Sequence, residues 1–213
     1  MKLVCLSDTH NFVGGTHFDI PDGDVLIHAG DATSSGTPSE LMAFFSWFGQ
    51  QPHPYKLFVA GNHDEHLEAD RMSAEMTAAG ITYLQDGAIT IDGVRFWGTP
   101  WIPVCGPWAF SLRTAEALWH RWPLIADETD VLITPTPPFK VLDADKDRNF
   151  GCKQLRRRLD ELELTLHVFG HIHEGSGEQP GTHHSVNAAI CDSEGEPSNP
   201  CRIFEIPPRD QRP

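Results

Sequence analysis

The sequence predicts an α/β fold in which two packed, mixed β-sheets are flanked by helices. Short apolar runs recur at residues 3–6, 25–28, 57–60, 131–133 and 166–169, and each leads into a polar turn. Strand-like and helix-like patterns alternate early in the chain and strands dominate later, the order expected of layered sheets covered by helices. Seventeen prolines and 18 glycines in 213 residues fit a loop-rich enzyme better than a helical bundle.

The elements follow in order. Residues 3–6 and 25–28 read as short buried strands, and residues 38–48 as a helix. Pro38 can open that helix, and Leu41, Phe44, Phe45 and Phe48 share one face. Residues 57–60 form the next strand, and residues 69–79 a helix closed by Gly80. Strands are expected at 81–84, 88–91 and 95–97, with Asp92-Gly93 as the hairpin turn between the last two. A helix at 113–119, a strand at 131–133, a long Pro/Asp-rich loop from Pro135 to Phe150, a helix at 152–162 and a strand at 166–169 come next. Residues 186–190 and 202–206 are expected to close the fold as an antiparallel pair. One domain over residues 1–207 is expected, with a flexible tail at 208–213.

Thirty Asp and Glu against 16 Lys and Arg give a net charge of -14. Such a surface disfavours nucleic acid, although bound divalent cations would reverse the potential locally. Arg156-Arg157-Arg158 is read as a solvated helix face. No signal-like or membrane-spanning run is read in the sequence, so a cytoplasmic protein is expected. The five cysteines, an odd set without a CxxC pair, fit reduced structural thiols; a Cys191–Cys201 bridge is the less favoured alternative.

The chemistry lies at the strand ends. Asp8 and His10, two apart after the first strand, can lean to one side and suit Zn, Mn or Fe(II). His171 and His173 repeat that spacing after residues 166–169. Asp31 can bridge two cations, because a carboxylate has an oxygen for each, and Asn62 offers a neutral carbonyl oxygen. Two metals about 3.5–4 Å apart would support hydrolysis of a phosphoester.

The ordered series Asp8-x-His10, Gly30-Asp31, Gly61-Asn62-His63-Asp64 and Gly170-His171-x-His173 resembles the calcineurin-like metallophosphoesterases. The resemblance implies a two-sheet sandwich with metals at the strand ends. It implies Asp8, His10, Asp31 and His173 as ligands of one metal, and Asp31, Asn62 and His171 as ligands of another. The metals are expected to be two divalent ions, Mn with Fe or Zn as alternatives. His63 resembles the catalytic histidine that contacts phosphate and protonates the leaving group, with Asp64 expected to orient it. Asp22–Asp31, Thr99-Pro100-Trp101, Trp108-Ala109-Phe110, Pro137-Pro138, Gly151-Cys152 and His173-Glu174-Gly175 look like the metallophosphoesterase-domain-containing subgroup known from animal brain proteins and microbial relatives. That likeness implies a compact phosphodiesterase acting on a small phosphodiester, with cyclic nucleotides among its substrates.

One position departs from the pattern. The family places a histidine after residues 131–134, where this chain has Pro135, which offers no side-chain donor or acceptor. A weakened second metal is therefore expected, completed by water or by Asp143, Asp145 or His183 from a loop, or left largely empty. The expected activity is an impaired metal-dependent phosphodiesterase; a nucleotide-binding or interaction protein with a degenerate metal centre is the alternative. Trp101 and Trp108 are candidates for stacking on a base, and Asn187 for reaching phosphate, each with an ordinary packing or sheet role as the competing reading.

Overall fold

The chain is described by a computed structural model covering residues 1–104 and 106–207. The expected tail at 208–213 and Cys105 lie outside the described residues. Strands β1 (Lys2–Leu6), β2 (Val25–His28), β3 (Tyr55–Phe58) and β4 (Thr82–Tyr83) run parallel in the first sheet. Helices α1 (Pro38–Gly49), α2 (His66–Ala69) and α3 (Ser73–Ala78) connect them. The hairpin β5 (Gly87–Ile91) and β6 (Val94–Gly98) turns at Asp92 and Gly93, both with positive φ, as expected. β7 (Ile102–Pro103) and β8 (Ser111–Leu112) form a small separate pair.

After α4 (Ala115–Arg121) and β9 (Val131–Ile133), the predicted loop contains a two-residue hairpin, β10 (Ala144–Asp145) with β11 (Arg148–Asn149). Then come α5 (Lys153–Leu159), β12 (Leu166–Phe169), β13 (Gly177–Gln179), β14 (His184–Asn187) and β15 (Arg202–Glu205). The first sheet has the order β15-β1-β2-β3-β4, and the second β13-β14-β12-β9-β6-β5. This is the two-sheet α/β sandwich anticipated above.

Three apolar layers follow from strand alternation. Leu3, Cys5, Ile27, Phe96, Ile133 and Val168 fill the space between the sheets. Leu26, Phe44, Phe45, Phe48 and Phe58 join the outer face of the first sheet to α1. Leu132, Leu118, Trp122, Leu155 and Leu159 join the second sheet to α4 and α5. Cys5, Cys152, Cys191 and Cys201 are free and buried, so no Cys191–Cys201 bridge forms.

Two expectations are corrected. The helix predicted at 69–79 is split, because Met72 adopts φ 45° and its N–H bonds to the Asp70 carboxylate instead of continuing the helix. The predicted pairing of residues 186–190 with 202–206 does not form. β14 pairs with β12 and β13 in the second sheet, whereas β15 pairs antiparallel with β1 in the first.

The reason is a crossing at residues 188–190. Ser7 N–H donates to the Ala188 carbonyl, Ala188 N–H to Phe169, and Ile190 N–H to Ser7. The crossing ties the end of β1 to the end of β12, which brings the Asp8 and His171 loops together.

Candidate metal centre

Parallel strands end on the same side, so the loops after β1, β2, β3 and β12 converge. They line one open cavity of about 340 Å³ with His10, Asp31, Asn62, His63, His171 and His173, joined by Trp108, Glu174 and Ser193. The backbone there is unusual. Asp8, His10, Asn11, Asp31 and His171 all have positive φ, between 41° and 74°. Non-glycine residues held in this region cost free energy and collect at functional sites.

Asp8 sits at the centre and is buried. Its carboxylate accepts the Ser7 hydroxyl at 2.6 Å and the His171 N–H at 3.0 Å on each oxygen. Gly170 permits this approach, because a Cβ there would overlap the Asp8 carboxylate. The His10 and His173 imidazoles come from opposite sides, with their Nε2 atoms 3.3 Å apart. His173 Nε2 lies 3.4 Å from Asp8 Oδ1.

The other ring nitrogens are already committed. His10 Nδ1 donates to the Thr33 carbonyl at 3.3 Å and His173 Nδ1 to the Asp192 carbonyl at 2.9 Å. In the neutral rings both Nε2 lone pairs then face each other, which requires a cation or a proton between them. Two nitrogens at about 2.0–2.1 Å from one tetrahedral ion would stand about 3.3–3.4 Å apart. The donor set therefore fits a divalent metal.

Among the described residues, Asp8, His10 and His173 are the His/Cys/Asp/Glu group whose ligand atoms converge, all within 4.8 Å of one another. Electrostatics agree. Burial alone would raise the Asp8 carboxyl, but the His173 hydrogen bond and nearby charge win and hold it low. Burial opposes protonation of His173, yet the Asp8 contact outweighs it and lifts the imidazole to about 9. A proton thus shares the pair where a cation would replace it.

Asp31, Asn62 and His171 line the neighbouring part of the cavity. Asp31 Oδ1 accepts the His63 N–H at 2.8 Å, and its carboxyl is pushed well up by burial and by the charges of Asp8 and Asp64. Asn62 Oδ1 is buried with no hydrogen-bond partner, an acceptor left for a ligand. Pro135 is buried beside this group: a Cβ on Gly30, next to Asp31, would stand 2.7 Å from the Pro135 Cβ.

The loop residues considered as replacement ligands are engaged elsewhere or lie outside this cavity. Asp143 accepts Lys140 N–H, Asn149 Nδ2 and Gly151 N–H. Asp145 is in β10. His183 lines a separate cavity with Thr165 and Phe204.

His63 borders the same cavity. Its Nδ1 donates to the Ser34 carbonyl at 2.9 Å, leaving Nε2 uncommitted. No hydrogen bond joins the Asp64 carboxylate to this imidazole. Its buried carboxylate accepts Gly61 N–H at 2.8 Å, Thr33 N–H at 3.0 Å, Thr33 Oγ1 at 2.8 Å and Ala32 N–H at 3.3 Å. Asp64 is a clamp between the loops after β2 and β3, and the Ser34 carbonyl holds His63.

The aromatic candidates separate. Trp108 lines the cavity, whereas the Trp101 indole donates to Asp86 at 2.9 Å and stacks under Arg121. Asn187 takes a structural role at the end of β14, tying neighbouring loops with Nδ2 donating to the Leu142 and Ile172 carbonyls and Oδ1 accepting the Ala189 N–H. Sequence reasoning missed the carbonyl anchors Thr33, Ser34 and Asp192, since a main-chain oxygen leaves no residue-type signature.

The comparisons agree with the geometry. The model of the calcineurin-like phosphoesterase family matches residues 1–175. UPF0046 protein K07C11.7 of Caenorhabditis elegans is 38% identical over 222 residues, covering 97% of this chain and 76% of that protein. Metallophosphoesterase domain-containing protein 1 of Homo sapiens is 37% identical over 233 residues, covering 97% of this chain and 71% of its own. In fold, the phosphopantetheinyl hydrolase of Mycobacterium tuberculosis is similar at TM-score 0.63 and 13% identity, over 91% of this chain and 90% of that one. Convergent strand ends, the Asp8–His10–His173 group and these matches lead to one statement: the chain belongs to the calcineurin-like phosphoesterases.

Proposed function

We propose that this protein binds a small phosphodiester or nucleotide at a degenerate two-metal centre and hydrolyses it weakly. The observation that carries the reading is the contrast between the two halves of the cavity. Asp8, His10 and His173 converge as a ready-made ion site, whereas the Asp31–Asn62–His171 side has a buried proline beside it.

Asp8, His10, Asp31 and His173 would hold the first ion, and Asp31, Asn62 and His171 a weaker second one. Such ions supply Lewis acidity and lower the pKa of a bound water. The protein's own part is to present the ligands in fixed orientations and to offer His63. With Nδ1–H on the Ser34 carbonyl, His63 Nε2 is the atom that would carry a proton to a departing alkoxide. Among the described residues, no Lys or Arg lines the cavity. The charge of a phosphoester therefore falls to cations and imidazoles, a condition that suits a singly charged diester. The likeness to metallophosphoesterase domain-containing protein 1 supports assignment to that subgroup.

A second reading, a fully competent phosphodiesterase, is favoured by the intact placement of His63. The discriminating experiment measures metal content, nucleotide affinity, and turnover of bis-p-nitrophenyl phosphate and cyclic nucleotides across a Mn, Fe and Zn series. The proposal expects slow, metal-stimulated turnover that Asp31→Asn abolishes, with measurable nucleotide binding. Fast turnover at one equivalent of metal would establish the second reading, and absence of both binding and turnover would sink both.

A further inference from the structure

The His63 ring lacks the carboxylate partner that would hold it, and one carbonyl hydrogen bond leaves an imidazole free to swing about that contact. The structure supplies a slot instead. The His10 ring meets His63 edge-on, with centroids 4.8 Å apart and planes at 87°. On the loop between β7 and β8, the Trp108 indole lies 4.3 Å from the His63 ring at 38°.

Trp108 is 42% exposed, with its ring at the edge of the open cavity. It is not adrift. The next two residues, Ala109 and Phe110, are buried, the Phe110 N–H donates to Glu68 at 3.0 Å, and Phe110 accepts the Ile102 N–H. The loop is thus pinned immediately after Trp108, and the indole is presented to the cavity that Asn62, His171 and His173 also line.

We propose that Trp108 is the positioning residue for His63, confining the imidazole between two rings so that Nε2 faces the departing oxygen of the ester. The proposal rests on the phosphoester reading above and deepens it. An acid held in this way is needed for alkyl or ribosyl diesters, whose alkoxide must receive a proton as the P–O bond breaks. It is dispensable for esters of a stable phenolate. In the proton transfer, the imidazolium Nε2–H passes its proton to the leaving oxygen and the ring becomes neutral.

Two measurements on the full chain test this. In metal-free protein, imidazole 15N spectra should show His63 as a single Nδ1–H tautomer. Trp108→Ala should broaden it or mix the tautomers, and Trp108→Phe should restore it. In Mn-loaded protein, Trp108→Ala should lower kcat on alkyl and ribosyl diesters at least about tenfold more than on p-nitrophenyl diesters, with Trp108→Phe within about threefold of the unmodified chain. An unchanged His63 spectrum in Trp108→Ala overturns the proposal, as does an equal loss on all leaving groups. If the unmodified chain turns nothing over, the hydrolytic reading fails, and the spectra alone still decide whether Trp108 positions His63.

Discussion

At the scale of single residues, Asp64 and Pro135 give the clearest instruction. Asp64 follows His63 in the sequence and invites the reading of an acid–imidazole pair, yet its oxygens are occupied by three main-chain N–H groups and the Thr33 hydroxyl. An Asn in its place has one acceptor oxygen and would leave donors unpaired. Asp64→Asn is therefore expected to cost about 3 kcal/mol, given that each buried unpaired donor costs about 1–3 kcal/mol. His63→Ala, whose ring is partly exposed, should cost less than about 1 kcal/mol. Urea denaturation of both variants makes the comparison, and a larger loss for His63→Ala would return Asp64 to the pairing role. Pro135→His should raise second-metal affinity and turnover by about tenfold or more, the scale of effect seen when a metal site gains support. Metal titration with diester kinetics checks it, and unchanged values would separate Pro135 from the second metal. The meeting of Asp8, His10 and His173 was legible because Asp-x-His and His-x-His at strand ends imply convergence. The carbonyls that fix each imidazole were not, since any residue supplies one.

At the scale of elements, the strongest local signals matched the structure most closely. Residues 25–28 and 131–133, continuous apolar runs, are β2 and β9. Helix α1 begins with a capping box in which Thr37 Oγ1 accepts Glu40 N–H and Glu40 accepts Thr37 N–H. Thr37→Ala should lower stability by about 1 kcal/mol without altering metal binding. Thermal unfolding and metal titration of that variant test the two halves of the statement, and a change in metal affinity would mean that α1 governs the site more directly. The split between α2 and α3 was hidden because the Asp70–Met72 bond is a local competition that apolar periodicity does not register. The β14–β15 error had a different origin. Both segments contain strands, but which neighbour each joins depends on a crossing at residues 188–190.

At the scale of the whole molecule, the interior is protected from acid only conditionally. His28 is buried among Phe44, Phe48 and Phe58, and burial pushes its imidazole down from 6.5 to about 3. Burial also holds His167 well below 6.5, with Nε2 bonded to Thr134 at 2.9 Å. Below pH 6.5 the unfolded chain takes up protons that these native rings refuse, so stability is complete above that pH and falls toward pH 3. Each ring should contribute a slope of about 1.4 kcal/mol per pH unit within that window. Chemical denaturation between pH 7.5 and 4.5 should show the decline, and His167→Gln should make it shallower; a flat profile would mean that neither ring stays neutral. No helix among the described residues is long and apolar enough to cross a membrane. The crossing at residues 188–190 has a further consequence. It acts as a rivet: the sheets cannot slide past each other without breaking the main-chain bonds of Ser7 and Ala188. The Asp8–His10–His173 group is therefore expected to keep its shape whether or not an ion fills it. Adding a divalent cation and then chelating it should leave amide hydrogen exchange in β1 and β12 unchanged, and a large change would mean that an ion shapes the site.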